Sequence, residues 1–411
     1  LSFDFNDRIL KKVSWSSIVD PKKYANLPVQ RPIVSTSLDR CPTVWISAAE
    51  TSADLHGAKL ISALNALAPG ITCLGMGGPE MRTTAFQAIH RSEELSVMGL
   101  TEVLASLPRI LRIFKSTKYQ LRTYRPDCII LLDAPDFHFR LAKMAYRLGI
   151  PVFYYISPQI WAWRKGRVRF IQKYVKKMLC IFPFEQEFFA RYGVDVEFVG
   201  HPLMEELGWD ELSRIRPDPK RIGILPGSRD KEITALLPAF ATAAARIAAH
   251  DPEIRFQLFL ASETHRPLIE SFWPRHLDLD IIAFSERYPG IKGCEFVLTA
   301  SGTATLECAL LGVPAIVAYR VSGLSYLIAR MVVDVPHISM TNILMQEEVF
   351  PEFIQTRVSG ESLARQALFW LKNPESLSMI RKKLRSIQSR LGQKQASATC
   401  AEIILMELNK E

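Results

Sequence analysis

FVLTASGTATLECALLGVP, residues 296–314, reads as a strand, a tight loop and a helix. Phe296 to Thr299 is a continuous apolar run of the kind that parallel sheets bury on both faces. Ser301-Gly302-Thr303 interrupts it, and an apolar-periodic segment follows from Ala304 to Leu311 until Gly312 stops it. A helix start leaves backbone N–H groups unpaired and carries partial positive charge, so this loop is a candidate seat for a phosphate. Glu307, four residues after Thr303, is spaced to reach a sugar hydroxyl beside that phosphate. An ordinary buried βα turn is the competing reading.

The same pattern occurs upstream in this half. Arg221 to Leu225 reads as a strand, Pro226-Gly227-Ser228-Arg229 as a loop, and a long helix starts at Asp230. Gly227 removes a side-chain obstacle, Ser228 can donate, and Arg229 offers a planar fork to diphosphate oxygens. No G-K-[ST] supports a P-loop. Further strands are expected near 254–260, 281–284 and 315–318. Asp278-Leu279-Asp280 could serve a metal–diphosphate site, but a solvated loop is the simpler reading, with only His276 close in sequence.

The first half also alternates strands with helices. Thr43 to Ser47 leads to Glu50 and Asp54, where a ligand would meet the end of a first strand; Asp54 could equally cap the helix that follows. Gly75, Gly77 and Gly78 follow a second strand, but their spacing breaks the dinucleotide pattern. Residues 93–104 and 108–124 read as helical, with Pro108 in a first turn. Asp127 to Leu132 delivers Asp133-Ala134-Pro135-Asp136, two carboxylates suited to general-base work, with Asp136 preferred over Asp133. Trp161, Trp163 and Arg164 open an aromatic-basic stretch that either packs at a domain edge or meets an amphipathic ligand at a membrane surface.

The chain has 411 residues, 48% hydrophobic and 23% charged, enough for two globular domains. Its net charge of +9 leaves nucleic acid, membranes and acidic metabolites open as partners. The absence of a nucleic-acid motif turns the reading away from the first. Seven cysteines without a C-x-x-C read as buried thiols. Residues 1–40 read as an extension, too rich in Asp for a transit peptide and without the apolar core of a signal peptide. The polar, proline-bearing Ser213 to Lys220 marks a domain boundary, giving a domain over 41–205, a second over 206–360, and C-terminal helices over 361–411 that pack back on the first. The expected fold class is α/β, two doubly wound Rossmann-like domains facing a cleft.

The motifs SVMGLTEVL, DAPDF, SPQIWAWR, PFE, VGHPL, LPGSR and ASGTATLE, with Thr341-Asn342, occur in an order that closely resembles the lipid-A-disaccharide synthases. The resemblance implies a GT-B glycosyltransferase, inverting and without metal or other cofactor. It implies transfer of a diacylated glucosamine from a UDP-diacylglucosamine donor to a diacylglucosamine 1-phosphate acceptor, with a β-1,6 linkage. It further implies a peripheral protein on the cytoplasmic face of the bacterial inner membrane, with no nucleic-acid partner. On this chain Asp136 looks like the essential aspartate, with Glu50 and Asp54 beside it. Gly227, Ser228, Arg229, Ser301, Gly302, Thr303 and Glu307 look like the UDP site, joined by Asn342 and Gln355. Met98, Trp161, Trp163 and Arg164 look like the acceptor and lipid site. Ala49 and Ala53 stand where the resembled loop has glycine, and a left-handed backbone there would be strained. A UDP-sugar epimerase of the same architecture and a non-catalytic lipid- or nucleotide-binding protein are the rival readings.

Overall fold

The computed structural model describes residues 41–95, 100–163, 165–323, 326–327, 335–392 and 395–410. The 1–40 extension, Met98, Arg164 and the side chain of Trp163 lie outside this description. The described residues form two units, one built from 41–205 with 391–410 and the other from 206–390.

The first unit holds strands β1 (Thr43–Ala48), β2 (Thr72–Gly77), β3 (Phe86–Arg91), β4 (Cys128–Leu132), β5 (Val152–Tyr155), β6 (Lys177–Cys180) and β7 (Val196–Phe198) in the order β3-β2-β1-β4-β5-β6-β7. The second holds β8 (Asp218–Leu225), β9 (Arg255–Phe259), β10 (Asp280–Ile282), β11 (Cys294–Ala300), β12 (Ala315–Tyr319) and β13 (Glu352–Ile354) in the order β10-β9-β8-β11-β12-β13. Every pairing is parallel. Helices cover both faces, which is why β4 and the Phe296–Thr299 part of β11 read as continuous apolar runs, and both strands are buried along their whole length.

Chain order reverses once in each sheet, where β1 pairs with β4 (Ala48 opposite Leu132) and β8 with β11 (Leu225 opposite Thr299). Loops leaving neighbouring strands at such a point diverge to opposite faces, which leaves a crevice for ligand beyond the strand ends. In the first unit those loops carry Glu50 and Asp133; in the second they carry Arg229 and Ser301.

Some elements depart from expectation. Leu100–Tyr124 is one helix with Pro108 inside it, not in a first turn. Pro108 is exposed, so solvent can take the carbonyl that a missing N–H frees. The edge strands β3 and β13 were not expected. β3 is largely half-exposed and β13 has three residues, too little for a periodic signal. Of the C-terminal helices, Gly360–Lys372 and Pro374–Arg390 belong to the second unit, where Trp370 meets Phe296 edge-on at 5.4 Å. Only Ala396–Leu408 joins the first unit, against the helix Thr51–Leu67. The helix Asp230–His250 has the length and hydropathy of a membrane span, but Ile233, Leu236, Leu237 and Phe240 are buried in the second unit's core.

Candidate functional site

In the first unit, β4 ends in a strained turn. Asp133 and Ala134 both have left-handed backbones, φ 52 and 45, which non-glycine residues adopt only when neighbours impose it. Two buried side chains do so here, His138 through Nδ1 and Tyr154 through its hydroxyl, each donating to the Asp133 carbonyl at 2.6 Å. Because that carbonyl only accepts, the His138 proton sits on Nδ1. Burial lowers this ring to about 4, so it is neutral near pH 7, and Nε2 takes the Ser47 hydroxyl at 2.9 Å. Burial, with the charge of Glu50 second, pushes the Asp133 carboxyl up to about 6. Glu50 is exposed and makes no side-chain cap to its helix. Asp136, three residues on, is 81% exposed and paired with Arg167 at 2.8 Å.

Two residues expected to meet substrate are committed to the interior. Asp54 is buried and accepts the backbone N–H groups of Gly78 (2.6 Å), Glu80 (2.8 Å) and Met81 (3.2 Å). It organises the turn after β2, and a Cβ on Gly78 would lie 2.5 Å from its Oδ2, so the glycine cluster makes room for a carboxylate. Trp161 is 3% exposed, and its indole donates to Glu185 at 3.0 Å. Glu185 also takes the Ser157 hydroxyl at 2.6 Å and the Phe182 N–H at 3.1 Å, and burial raises its carboxyl to about 7. A buried carboxylate needs donors more than a lipid needs an indole, and the PFE motif was the only sequence sign of this anchor. Neither Ala49 nor Ala53 has positive φ, so the first loop carries no left-handed strain at these alanines.

A cavity of about 490 Å³ in this unit, lined in part by Lys59, Ser62, Thr83, Thr84, Glu205 and Ser397, lies along the middle of Thr51–Leu67. Its acid, Glu205, is already bonded to the Ser397 N–H and hydroxyl. Chemistry is better served by the strand-end loops.

In the second unit, the helix Thr303–Leu310 begins after Gly302, with Gly302 and Thr303 exposed. The Ser301 hydroxyl donates to the Ile338 carbonyl at 3.0 Å, so the groups this helix start could offer an anion are the N–H groups of its first residues and the Thr303 hydroxyl. Glu307 is buried, its Oε1 held by Arg287 and the Tyr288 hydroxyl at 3.3 Å each. Burial raises the Tyr288 phenol, keeping it a donor. A carboxylate has about four acceptor positions, which leaves capacity for a sugar hydroxyl. Gly227 has φ 120, and the Ser228 N–H and the Arg229 guanidinium, 78% exposed, both meet Glu232 at 3.1 Å.

Asn342 is fully buried. Its amide donates to Phe350 O and Glu352 at 2.8 Å each and accepts from the N–H groups of Val349 and Phe350. Every position of the amide is used within the protein. Gln355, at φ 52, pairs both amide atoms with the Val321 backbone. Among the described residues no group of His, Cys, Asp or Glu is arranged to hold a metal ion.

The sequence model described as lipid-A-disaccharide synthetase matches residues 44–405. A lipid-A-disaccharide synthase of Nitrosococcus oceani is 40% identical over 382 residues, 90% of this chain and 97% of that protein. One from Geobacter sulfurreducens is 39% identical over 380 residues, 90% and 98% respectively. Among solved structures, a UDP-GlcNAc 2-epimerase of Neisseria meningitidis bound to UDP-GlcNAc aligns with TM-score 0.60 at 14% identity, over 90% of this chain and 99% of that one. The calicheamicin glycosyltransferase CalG4 aligns with TM-score 0.57 at 13% identity, over the same shares. These two speak for the α/β two-domain fold of the GT-B class, and the sequence relatives for the chemistry: the chain belongs to the lipid-A-disaccharide synthase family and is a disaccharide-forming glycosyltransferase.

Proposed function

We propose that this glycosyltransferase moves a 2,3-diacylglucosamine from its UDP derivative to the 6-hydroxyl of 2,3-diacylglucosamine 1-phosphate, with inversion, giving a β-1,6 disaccharide and UDP. The observation that carries the reading is the pair of chain reversals: a carboxylate loop flanks the one in the first sheet, and a helix start flanks the one in the second. Asp133 takes the acceptor hydroxyl's proton as that oxygen bonds to the donor's anomeric carbon and the bond to UDP breaks, its electron pair leaving with the diphosphate. Of the two carboxylates in DAPDF, Asp133 has the poised basicity and the clamped backbone. Asp136 is 81% exposed and its Oδ1 is engaged by the Arg167 guanidinium at 2.8 Å.

In the second unit, the N–H groups starting Thr303–Leu310, with Ser228 and Arg229, meet the diphosphate charge, and Glu307 takes a ribose hydroxyl. The helix Leu100–Tyr124 supports peripheral binding, on the cytoplasmic face of a bacterial inner membrane. It exposes Arg109, Leu111, Arg112, Lys115, Lys118, Tyr119 and Arg122, and no acid lies between Glu102 and Asp127. Such a face suits an anionic lipid surface.

The test is release of UDP in the presence of each substrate alone and of both. Release that needs both supports the transferase. Conversion of the UDP sugar to its epimer without acceptor would put an epimerase in its place.

A further inference from the structure

Glu352 is an acid on a three-residue edge strand, 7% exposed, and hydrogen-bond donors from one short segment converge on it. Its Oε1 accepts the Ser339 N–H at 2.9 Å, the Ser339 hydroxyl at 2.8 Å and the Asn342 amide at 2.8 Å. The Ile338 N–H spans both oxygens at 3.2 and 3.0 Å. Burying a carboxylate is costly, and an apolar side chain would satisfy packing alone. What the carboxylate adds is a fixed position for the backbone that donates to it.

That backbone bears on the helix start. The Ile338 carbonyl, on the residue whose N–H binds Glu352, receives the Ser301 hydroxyl at 3.0 Å. Three residues on, the Thr341 hydroxyl donates to the Thr305 carbonyl at 2.8 Å, in the first turn of Thr303–Leu310. Ser339 also caps the helix Met340–Met345 through the Asn342 N–H at 3.3 Å. The Ser301-Gly302-Thr303 loop is therefore held at its hydroxyl and at its first turn by one segment, and Glu352 fixes that segment.

We propose that Glu352 is a positioning residue for nucleotide binding: it holds Ile338–Asn342 so that Ser301 is locked and the first-turn N–H groups present themselves to the diphosphate. This rests on the UDP seat of the preceding section and adds to it a residue that touches no substrate.

The test uses the full chain and UDP alone as the probe, by titration calorimetry. In Glu352→Gln the amide NH₂ opposes the Ile338 N–H, a donor against a donor, and UDP binding is expected to weaken by roughly tenfold. The acceptor KM should stay unchanged. Ser301→Ala should weaken UDP binding too, and the double variant should be no weaker than the worse single one, because both changes break the same link. Ser339→Ala, which removes one donor to Glu352 and the cap of Met340–Met345 without touching the seat, covers the case in which Glu352→Gln does not fold; it is expected to weaken UDP binding several-fold. Unchanged UDP affinity in Glu352→Gln or in Ser339→Ala, or additive losses in the double variant, would overturn the proposal. Failure of the unsubstituted protein to bind UDP would instead overturn the UDP seat itself.

Discussion

Arg167, itself 29% exposed, grips the 81% exposed Asp136 at 2.8 Å, while the backbone three residues upstream at Asp133 is clamped from the interior by His138 and Tyr154. The two carboxylates of one short motif thus have opposite surroundings. One is exposed and paired; the other is desolvated and sits on a clamped backbone.

Asp133→Asn should therefore lower kcat by roughly 10²–10⁴-fold, the usual worth of a general base. Asp136→Asn should cost much less, because an exposed pair contributes little. Steady-state kinetics on both variants decide between them, and the reverse ranking would make Asp136 the base.

The pH dependence follows from the raised Asp133 carboxyl. As a base it must be ionised, so kcat/KM should climb as pH rises through about 6. For stability the sign is opposite. A carboxyl raised in the folded state favours folding below its unfolded value near 3.8, and that contribution is lost as pH rises through about 6. Asp133→Asn should then be more stable than the unsubstituted protein at pH 7 by about 3 kcal/mol, and the gap should close below about pH 4. Urea unfolding at several pH values measures it.

Asp54 and Glu185 should behave as anchors. Asp54→Ala strands the buried N–H groups of Gly78 and Met81 and the part-buried one of Glu80, and Glu185→Ala strands the Ser157 hydroxyl and the Trp161 indole, each change costing on the order of 2–4 kcal/mol. Thermal unfolding should show a lowered Tm for both. An unaltered Tm with lost turnover would return Asp54 to the catalytic machinery.

Arg229→Ala should do the reverse. Its side chain is 78% exposed and its pair with Glu232 is on the surface, so Tm should barely move. The donor KM should rise by roughly tenfold or more as a charge-assisted contact to diphosphate is lost. A changed acceptor KM with an unchanged donor KM would move Arg229 out of the UDP seat.

The doubly wound sheets were legible because β1, β4, β11 and the Ile222–Leu225 end of β8 are buried on both faces, and such strands announce themselves as apolar runs ending in polar loops. The loops at the chain reversals, with Asp133, Arg229 and Ser301, were legible for the same reason. What could not be read was the commitment of polar side chains. Asp54, Trp161 and Asn342 have the chemistry of ligand contacts, and only the fold shows that Gly78, Glu185 and Phe350 already claim them. Pro351-Glu352 reads in the sequence as cleft-lining punctuation between helical segments; the anchoring role of Glu352 is not legible there, because a three-residue edge strand has no periodicity and its donors come from 10 to 14 residues away.

The most direct measurement of the central claim is the product formed from UDP-2,3-diacylglucosamine and 2,3-diacylglucosamine 1-phosphate, identified by mass and by the configuration of its new glycosidic bond. The account predicts a β-1,6 disaccharide with one UDP released per linkage, and almost none from Asp133→Asn. An α-linked product, or UDP release without any disaccharide, would contradict it.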